Sequence, residues 1–394
     1  MLDYMDKPLS HILFLTHVGE PGGAEYVMMR LCESVKDKCT VTTFEHGQLE
    51  QSLAEKKIPY EVIALPNSVL SVRRKSGLTT ILKATPSVCM AVKKLTKKGR
   101  QHDIIVAMSQ KSFFLACISK PFMRRPIIWF MNDLISTDHF SKPLIFLMTK
   151  VFGRFANRVV VNSQASYDAW IECGGNRAKT RVIYPGTDYT HIQKQLASTD
   201  TVKEYRARFT PNDAPLIGIF GRICDWKGQD IFLKALAQIE NVNAVIVGEA
   251  FFDQEKHKQK LYTIIKEHKL ENRVQFAGHL DDAPRAMAAC DIIIHASTQP
   301  EPFGLVIVEA LMCKKPIIAS KAGGAIEIIG NDEAYGLLTP PSDVPALTVA
   351  IQRLLKDKDL KEAISQNGYE RALKNFSTQN MIFHFKELLE EILN

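Results

Sequence analysis

Short β-branched runs, apolar on consecutive positions, recur along the whole chain with amphipathic stretches between them. In the first half they predict strands over His11–Thr16, Thr40–Phe44, Asp103–Met108, Pro126–Met131 and Arg158–Asn162. In the second half they predict strands over Leu216–Phe220, Ala244–Val247, Arg273–Ala277, Asp291–His295 and Pro316–Ser320. A strand that is apolar on both faces must be buried on both, as in a parallel sheet covered by helices. Stretches such as Ala24–Val35, Leu144–Phe155, Gln229–Ile239 and Ala346–Lys356 would supply the cover. The βα repeat therefore predicts an α/β chain with doubly wound sheets.

With 394 residues there is room for two such domains. A short strand at Val182–Tyr184 runs into the turn pair Pro185-Gly186, and a polar stretch follows from Asp188 to about Asn212. A fresh βα series opens at Pro215, so the second domain is expected to start near residue 189. The last helix, Thr378–Leu393, could cap either one.

Charge divides the halves. Residues 1–190 hold 26 Lys and Arg against 16 Asp and Glu, and the rest of the chain holds 24 against 27. Between Glu61 and Asp103 there is no acid but nine cations: Arg73, Arg74, Lys75, Lys83, Lys93, Lys94, Lys97, Lys98 and Arg100. Such one-sign charge points to an anionic partner or to a solvated helix face. No apolar run approaches the roughly 18–20 residues needed to cross a bilayer, and Met1 to Pro8 does not read as a secretory signal. Eight cysteines without a C-x-x-C pair read as reduced thiols, against a disulfide framework or a zinc site. These features exclude secreted, fibrous and integral-membrane classes and favour a cytoplasmic protein.

Ligands of open α/β sheets sit beyond the carboxyl ends of strands. After the first strand comes Thr16-His17-Val18-Gly19-Glu20-Pro21-Gly22-Gly23-Ala24-Glu25, a Gly-rich loop opening a helix. It lets backbone approach a phosphate, but it is neither G-x-G-x-x-G nor a Walker A loop. The second domain has Gly218-Ile219-Phe220-Gly221-Arg222-Ile223-Cys224-Asp225-Trp226-Lys227-Gly228, with two cations where a diphosphate would need them. The segment Glu301-Pro302-Phe303-Gly304-Leu305-Val306-Ile307-Val308-Glu309 sets two carboxylates eight positions apart. If a helix starts near Gly304, the N–H groups of Phe303, Gly304 and Leu305 face an anion. The acids then accept hydrogen bonds from sugar or ribose hydroxyls.

Together these segments resemble the retaining glycosyltransferases of family 4, which have the GT-B fold. Asn162-Ser163, Tyr184-Pro185-Gly186-Thr187-Asp188, Val247-Gly248-Glu249, Val274-Gln275-Phe276-Ala277-Gly278 and Ala322-Gly323-Gly324-Ala325-Ile326-Glu327 add matches in the family's order. The resemblance implies two Rossmann-like domains facing across a cleft: an acceptor-side domain, 1–188 with 376–394 crossing back to it, and a nucleotide-sugar domain, 189–375. It implies that Arg222 and Lys227 hold the donor diphosphate and stabilise the leaving charge. Glu301 would bind the donor sugar and Glu309 the ribose. Gly22, Gly23 and Gly221 would line the phosphates, and Gly278 would lie near the base. Where the family usually has His-Asp, this chain has Asn132-Asp133, and Asn132 at the histidine's place can donate and accept hydrogen bonds but cannot carry a proton charge, a departure at the contact to the donor sugar.

The implied reaction moves a hexose from a nucleoside diphosphate sugar, UDP favoured, to an acceptor hydroxyl with retention. No metal or other cofactor is called for, because Arg222, Lys227 and helix N-termini would take its place. The alternatives are a donor-binding protein without activity and a GT-B phosphorylase or epimerase. The basic first domain, with Val69, Leu70, Leu78, Ile81, Leu82 and Val88 among its cations and Phe113-Phe114 and Lys120–Arg125 nearby, predicts peripheral attachment to an anionic membrane face. A lipid-linked or surface-polysaccharide acceptor would suit that position. Nucleic acid is not expected as a partner.

Overall fold

The computed structural model describes residues 11–66, 78–137, 140–210, 214–250 and 254–393, with side chains of the helix Leu78–Gly99 described from residue 86 onward. Met1 to Pro8, Val69, Leu70 and Arg73 to Lys75 lie outside the described residues, as do the side chains of Leu78, Ile81, Leu82 and Lys83. The chain divides into two compact units, Met1–Tyr184 with Met381–Asn394, and Pro185–Asn380.

The first unit is built on seven parallel strands. They are β1 Ile12–Thr16, β2 Cys39–Thr43, β3 Tyr60–Val62, β4 Ile104–Ala107, β5 Ile127–Met131, β6 Arg158–Val161 and β7 Thr180–Val182, in the order β3-β2-β1-β4-β5-β6-β7. Apolar side chains of β1, β4 and β5 point to both faces, so two cores form. One gathers Leu13, Ile105, Phe113, Trp129 and Trp170, with the Phe113 and Trp129 rings stacked 4.2 Å apart. The other packs Phe14 and Phe130 against Phe385. Phe385 belongs to the final helix, Thr378–Leu393, so the carboxyl-terminal part of that helix does return to the first unit.

The second unit holds six parallel strands. They are β8 Leu216–Phe220, β9 Asn243–Val247, β10 Val274–Gly278, β11 Ile292–His295, β12 Ile317–Ser320 and β13 Leu337–Thr339, in the order β10-β9-β8-β11-β12-β13. The expected class, two Rossmann-like α/β sheets, is the observed one. In both sheets the first strand lies centrally, with the order reversing on either side of it. The loops after β1 and β8 therefore leave from topological switch points.

Several elements differ from expectation. Leu144–Phe155 is not one helix. An α-turn at Lys142–Phe146 widens to a π-helix at Leu147–Val151, then tightens to a 3-10 turn at Phe152–Arg154. Within it the Thr149 hydroxyl bonds the Ile145 carbonyl at 2.9 Å, and a side chain on Gly153 would press on the Met148 carbonyl. The strand expected at Val182–Tyr184 sits earlier, at Thr180–Val182, because Val159 and Val161 of β6 pair with Thr180 and Val182. Within the acid-free stretch, Leu78–Gly99 is a helix that turns Ala91 and Leu95 to the core and Lys93, Lys94 and Lys97 outward. Lys98 is engaged by Glu61 at 2.9 Å, so the cluster is less free than its composition implies.

Candidate active site

In the second unit the loops at the carboxyl ends of β8, β9 and β10 are tied edge to edge. Gly221 N–H donates to Val247, Gly248 N–H to Gly278, and Ile223 N–H to Glu249. Gly248 has φ +138°, and a Cβ there would lie 2.0 Å from the Gly221 carbonyl, so only glycine allows this approach. Gln229 braces the loop from within by donating to the Arg222 carbonyl at 2.9 Å. Arg222 is thereby presented outward, exposed, with no ion pair among the described residues.

Lys227 turns the other way. Its ammonium donates to both oxygens of Glu301 at 2.8 Å and lies 4.6 Å from the centre of the Trp226 ring. Glu301 is the focus of the site. Its Oε1 also accepts from His295 Nε2 at 2.8 Å and from the Ser297 hydroxyl. Burial alone would raise this carboxyl's pKa, but His295 and Lys227 beside it hold it well below the usual carboxylate range. Since Oε1 takes three donors and Oε2 takes Lys227 alone, Oε2 is the oxygen with acceptor capacity left for a ligand hydroxyl. Facing a carboxylate, His295 Nε2 carries the ring proton, and Nδ1 is buried without a partner among the described residues.

What holds Glu301 in place is a pair of glycines. Gly324 N–H donates to the Glu301 carbonyl at 3.0 Å. A Cβ on Gly323 would fall 2.2 Å from that carbonyl oxygen, and one on Gly324 would fall 2.5 Å from Phe303 Cα. Phe303 is buried edge-on against Phe376. Gly304, with φ +117°, then opens the helix Leu305–Met312, whose first N–H groups carry the partial positive charge of a helix start. Glu309 lies in the second turn of that helix, half-buried, as the spacing predicts. Gly278, with φ +73°, sits at the end of β10 beside Glu249.

The first unit supplies its candidates separately. In the loop after β1, Gly19 is a packing glycine: a Cβ would lie 2.3 Å from the His46 carbonyl. Gly22 has room around it and Gly23 is exposed. Glu25 folds back under this loop, accepting from the Thr16 hydroxyl at 2.9 Å and from Gly22 N–H at 3.1 Å. Burial raises its pKa against those two hydrogen bonds. Asn132 is anchored by its amide to the Met108 carbonyl at 3.0 Å, and Asp133 accepts from Gln110 at 3.2 Å. His17 is half-buried, its Nδ1 unpartnered among the described residues, and burial followed by Lys111 lowers its pKa to about 4.

The structure thus brings Lys227 and Glu301 into direct contact, with Arg222 in the loop five positions before Lys227. Sequence spacing missed that Ser297 and His295 converge on Glu301. The signal was present in His295-Ala296-Ser297 at a strand's carboxyl end, four positions before the acid. The chain's one Asp-x-Asp, Asp357-Lys358-Asp359, works as a helix cap, Asp357 accepting from Leu360 N–H at 2.9 Å.

Two Rossmann-like units, with glycine-bearing loops at both switch points, define the GT-B fold class. The family model for group 1 glycosyl transferases matches residues 201–371, and that for glycosyltransferase family 4 matches residues 21–191. HepE of Anabaena, solved in complex with UDP and glucose, is 34% identical over 97% of this chain and 100% of its own, with a TM-score of 0.86. The lipopolysaccharide core biosynthesis glycosyltransferase LpsE of Rhizobium meliloti is 26% identical over 180 residues, 46% of this chain and 51% of its own length. The mannosyltransferase LpsB of the same organism is 26% identical over 205 residues, 51% of this chain and 55% of its own. The chain spans about half the length of the curated relatives it matches. It belongs to the group 1, family 4 glycosyltransferases.

Proposed function

We propose that this chain transfers a hexose from a nucleoside diphosphate sugar, UDP-sugar first, to an acceptor hydroxyl with retention at the anomeric carbon. The observation that carries the reading is Glu301, an ionised carboxylate buried among Lys227, His295 and Ser297, one of whose oxygens accepts from Lys227 alone and has acceptor capacity left for a hydroxyl. In this reading Oε2 of Glu301 accepts from the donor sugar, Lys227 and Arg222 hold the diphosphate, and Glu309 accepts from the ribose. Phe303, Gly304 and Leu305 present backbone N–H groups to phosphate, and Gly221 and Gly278 let the nucleotide lie close. Gly22, Gly23, Asn132 and Asp133 are the first unit's candidates for donor recognition.

The bond from the anomeric carbon to the phosphate oxygen breaks as the acceptor oxygen bonds that carbon from the same face. The acceptor's proton passes to the departing phosphate oxygen. Positioning and leaving-group electrostatics would carry the catalysis, so no metal ion is required. HepE's complexes with UDP and glucose and with UDP-glucose support the UDP preference. LpsE and LpsB support an acceptor of the lipopolysaccharide or surface-polysaccharide kind.

Such an acceptor would place the protein on the cytoplasmic face of a membrane, held by the outward Lys93, Lys94 and Lys97. Among the described residues no helix is long and apolar enough to cross a membrane, so attachment would be peripheral. The test is a thermal-shift panel of UDP-, GDP- and ADP-sugars followed by product analysis in the presence of a chelator. Stabilisation by a UDP-sugar, with chelator-insensitive transfer to an α-linked product from an α-linked donor, is expected. Inversion, or conversion of donor without acceptor, would overturn the reading.

A further inference from the structure

A cavity of about 580 Å³ opens in the first unit where Pro126 leads into β5 and Asn157 leads into β6. Those are the amino ends of the strands, whereas Thr16 and Asn132 mark the carboxyl ends. Three of the lining residues are cations, Lys120, Arg124 and Arg125, and none is an acid. Lys120 donates to the Phe155 carbonyl at 2.6 Å and to Asn157 Oδ1 at 2.7 Å, which leaves one ammonium proton. Arg125 donates to the Arg100 carbonyl at 3.0 Å, while its Nε is buried without a partner among the described residues. Arg124, at φ +56°, closes the helix Gln110–Met123 through its backbone N–H and leaves its side chain exposed. None of the three forms an ion pair among the described residues. Glu391, the neighbour of the lining residue Ile392, is held by Arg158 at 2.5 Å and by Arg181 at 3.3 Å.

Lys120 and Arg125 are half-buried without a carboxylate, an electrostatic cost that a bound anion removes, and the exposed Arg124 adds a third cation at the mouth. Burial lowers the pKa of Lys120, and Lys179 adds to the effect. Capping of helix-end carbonyls explains part of Lys120 and Arg125, but not the side chain of Arg124 or the orphaned Nε of Arg125. The rest of the wall is apolar, with Phe155 and Ile392, and Phe122 beside it is 57% exposed. We propose that this pocket, in the first unit whereas Glu301 belongs to the second, is a second ligand site that takes a phosphate group joined to an apolar body. Two sources share that chemistry, a phospholipid headgroup and a free phosphate ester, and the experiment separates them.

The decisive variant is Arg124→Asn with Arg125→Gln, since asparagine suits the left-handed conformation and glutamine keeps one donor. Inorganic phosphate is titrated calorimetrically into wild type, this double variant and Arg222→Gln. The double variant should bind phosphate at least about tenfold more weakly, and Arg222→Gln should retain this binding. Pelleting with phosphatidylglycerol vesicles, against phosphatidylcholine, then names the source. Vesicle binding weakened in the double variant, and weakened further when it is combined with Lys93→Ser/Lys94→Ser/Lys97→Ser, identifies a headgroup, while loss of phosphate binding alone identifies a soluble ester. Should the double variant fail to fold, Arg124→Asn alone should still weaken phosphate binding about threefold. Phosphate and vesicle binding both unchanged in the pocket variants would overturn the proposal, whatever the outcome with nucleotide sugars.

Discussion

Lys227 and Glu301 meet through both carboxylate oxygens at 2.8 Å, with side chains only 13% and 10% exposed. Removing one partner strands a buried charge, at a cost of about 3 kcal/mol. Lys227→Met and Glu301→Gln should each lose about that much in urea denaturation. The double variant should regain much of the stability yet remain without transfer. Simple additivity of the two single losses would show that the pair is not coupled.

Arg222 presents the opposite case. Exposed and without an ion pair among the described residues, it contributes little to the fold, so Arg222→Ala should change stability by no more than about 0.5 kcal/mol. Under the proposed reaction its effect should fall on kcat, about a hundredfold, with a smaller change in KM, because the charge it would face grows as the phosphate leaves. Arg222→Lys should recover part of that rate. A change confined to KM would make it a binding residue only.

His17 gives the fold an acid sensitivity. Its pKa lies at about 4 in the folded chain against an ordinary 6.5. The folded state therefore binds fewer protons than the unfolded state between these values. The stability it supports is complete above 6.5 and is lost as pH falls towards about 4. Relative to His17→Gln, wild type should lose on the order of 2 kcal/mol between pH 7.5 and 4.5 by chemical denaturation. Parallel pH profiles for the two proteins would contradict this.

Trp129 is fully buried, stacked on Phe113 and edge-on to Trp170, yet its indole N–H has no partner among the described residues. Trp129→Phe loses volume but also removes an unsatisfied donor, so it should cost only about 1–2 kcal/mol. Trp129→Ala should cost about 4 kcal/mol. Equal losses would mean that the indole N–H is satisfied in solution.

The central strands were legible because burial on both faces writes itself as an unbroken apolar run: Leu216–Phe220 is the same five residues in sequence and structure. Tyr60–Val62 escaped notice because it is a three-residue edge strand with no buried side chain. The region 142–155 misled because its apolar period is helical, whereas the hydroxyl of Thr149 and the close turn at Gly153 alter the hydrogen-bond ladder without altering that period. In the site, letter spacing located Glu301 and Glu309, since both hang on one short loop-to-helix segment. It could not show that Lys227, 74 positions earlier in the chain, closes on Glu301. That contact depends on the parallel placement of β8 beside β11.

The two glycines behind Glu301 have a consequence for how the site should be mapped. An alanine scan ordinarily trims side chains, and its silence at a position is taken as tolerance. At Gly323 and Gly324 the same replacement adds an atom where backbone of Glu301 and Phe303 already lies within 2.5 Å. Activity would vanish at two positions that offer no chemical group to a substrate. Anyone retuning donor choice in this chain should hold those two fixed and vary the rim instead, because the height of the carboxylate is set by what they lack.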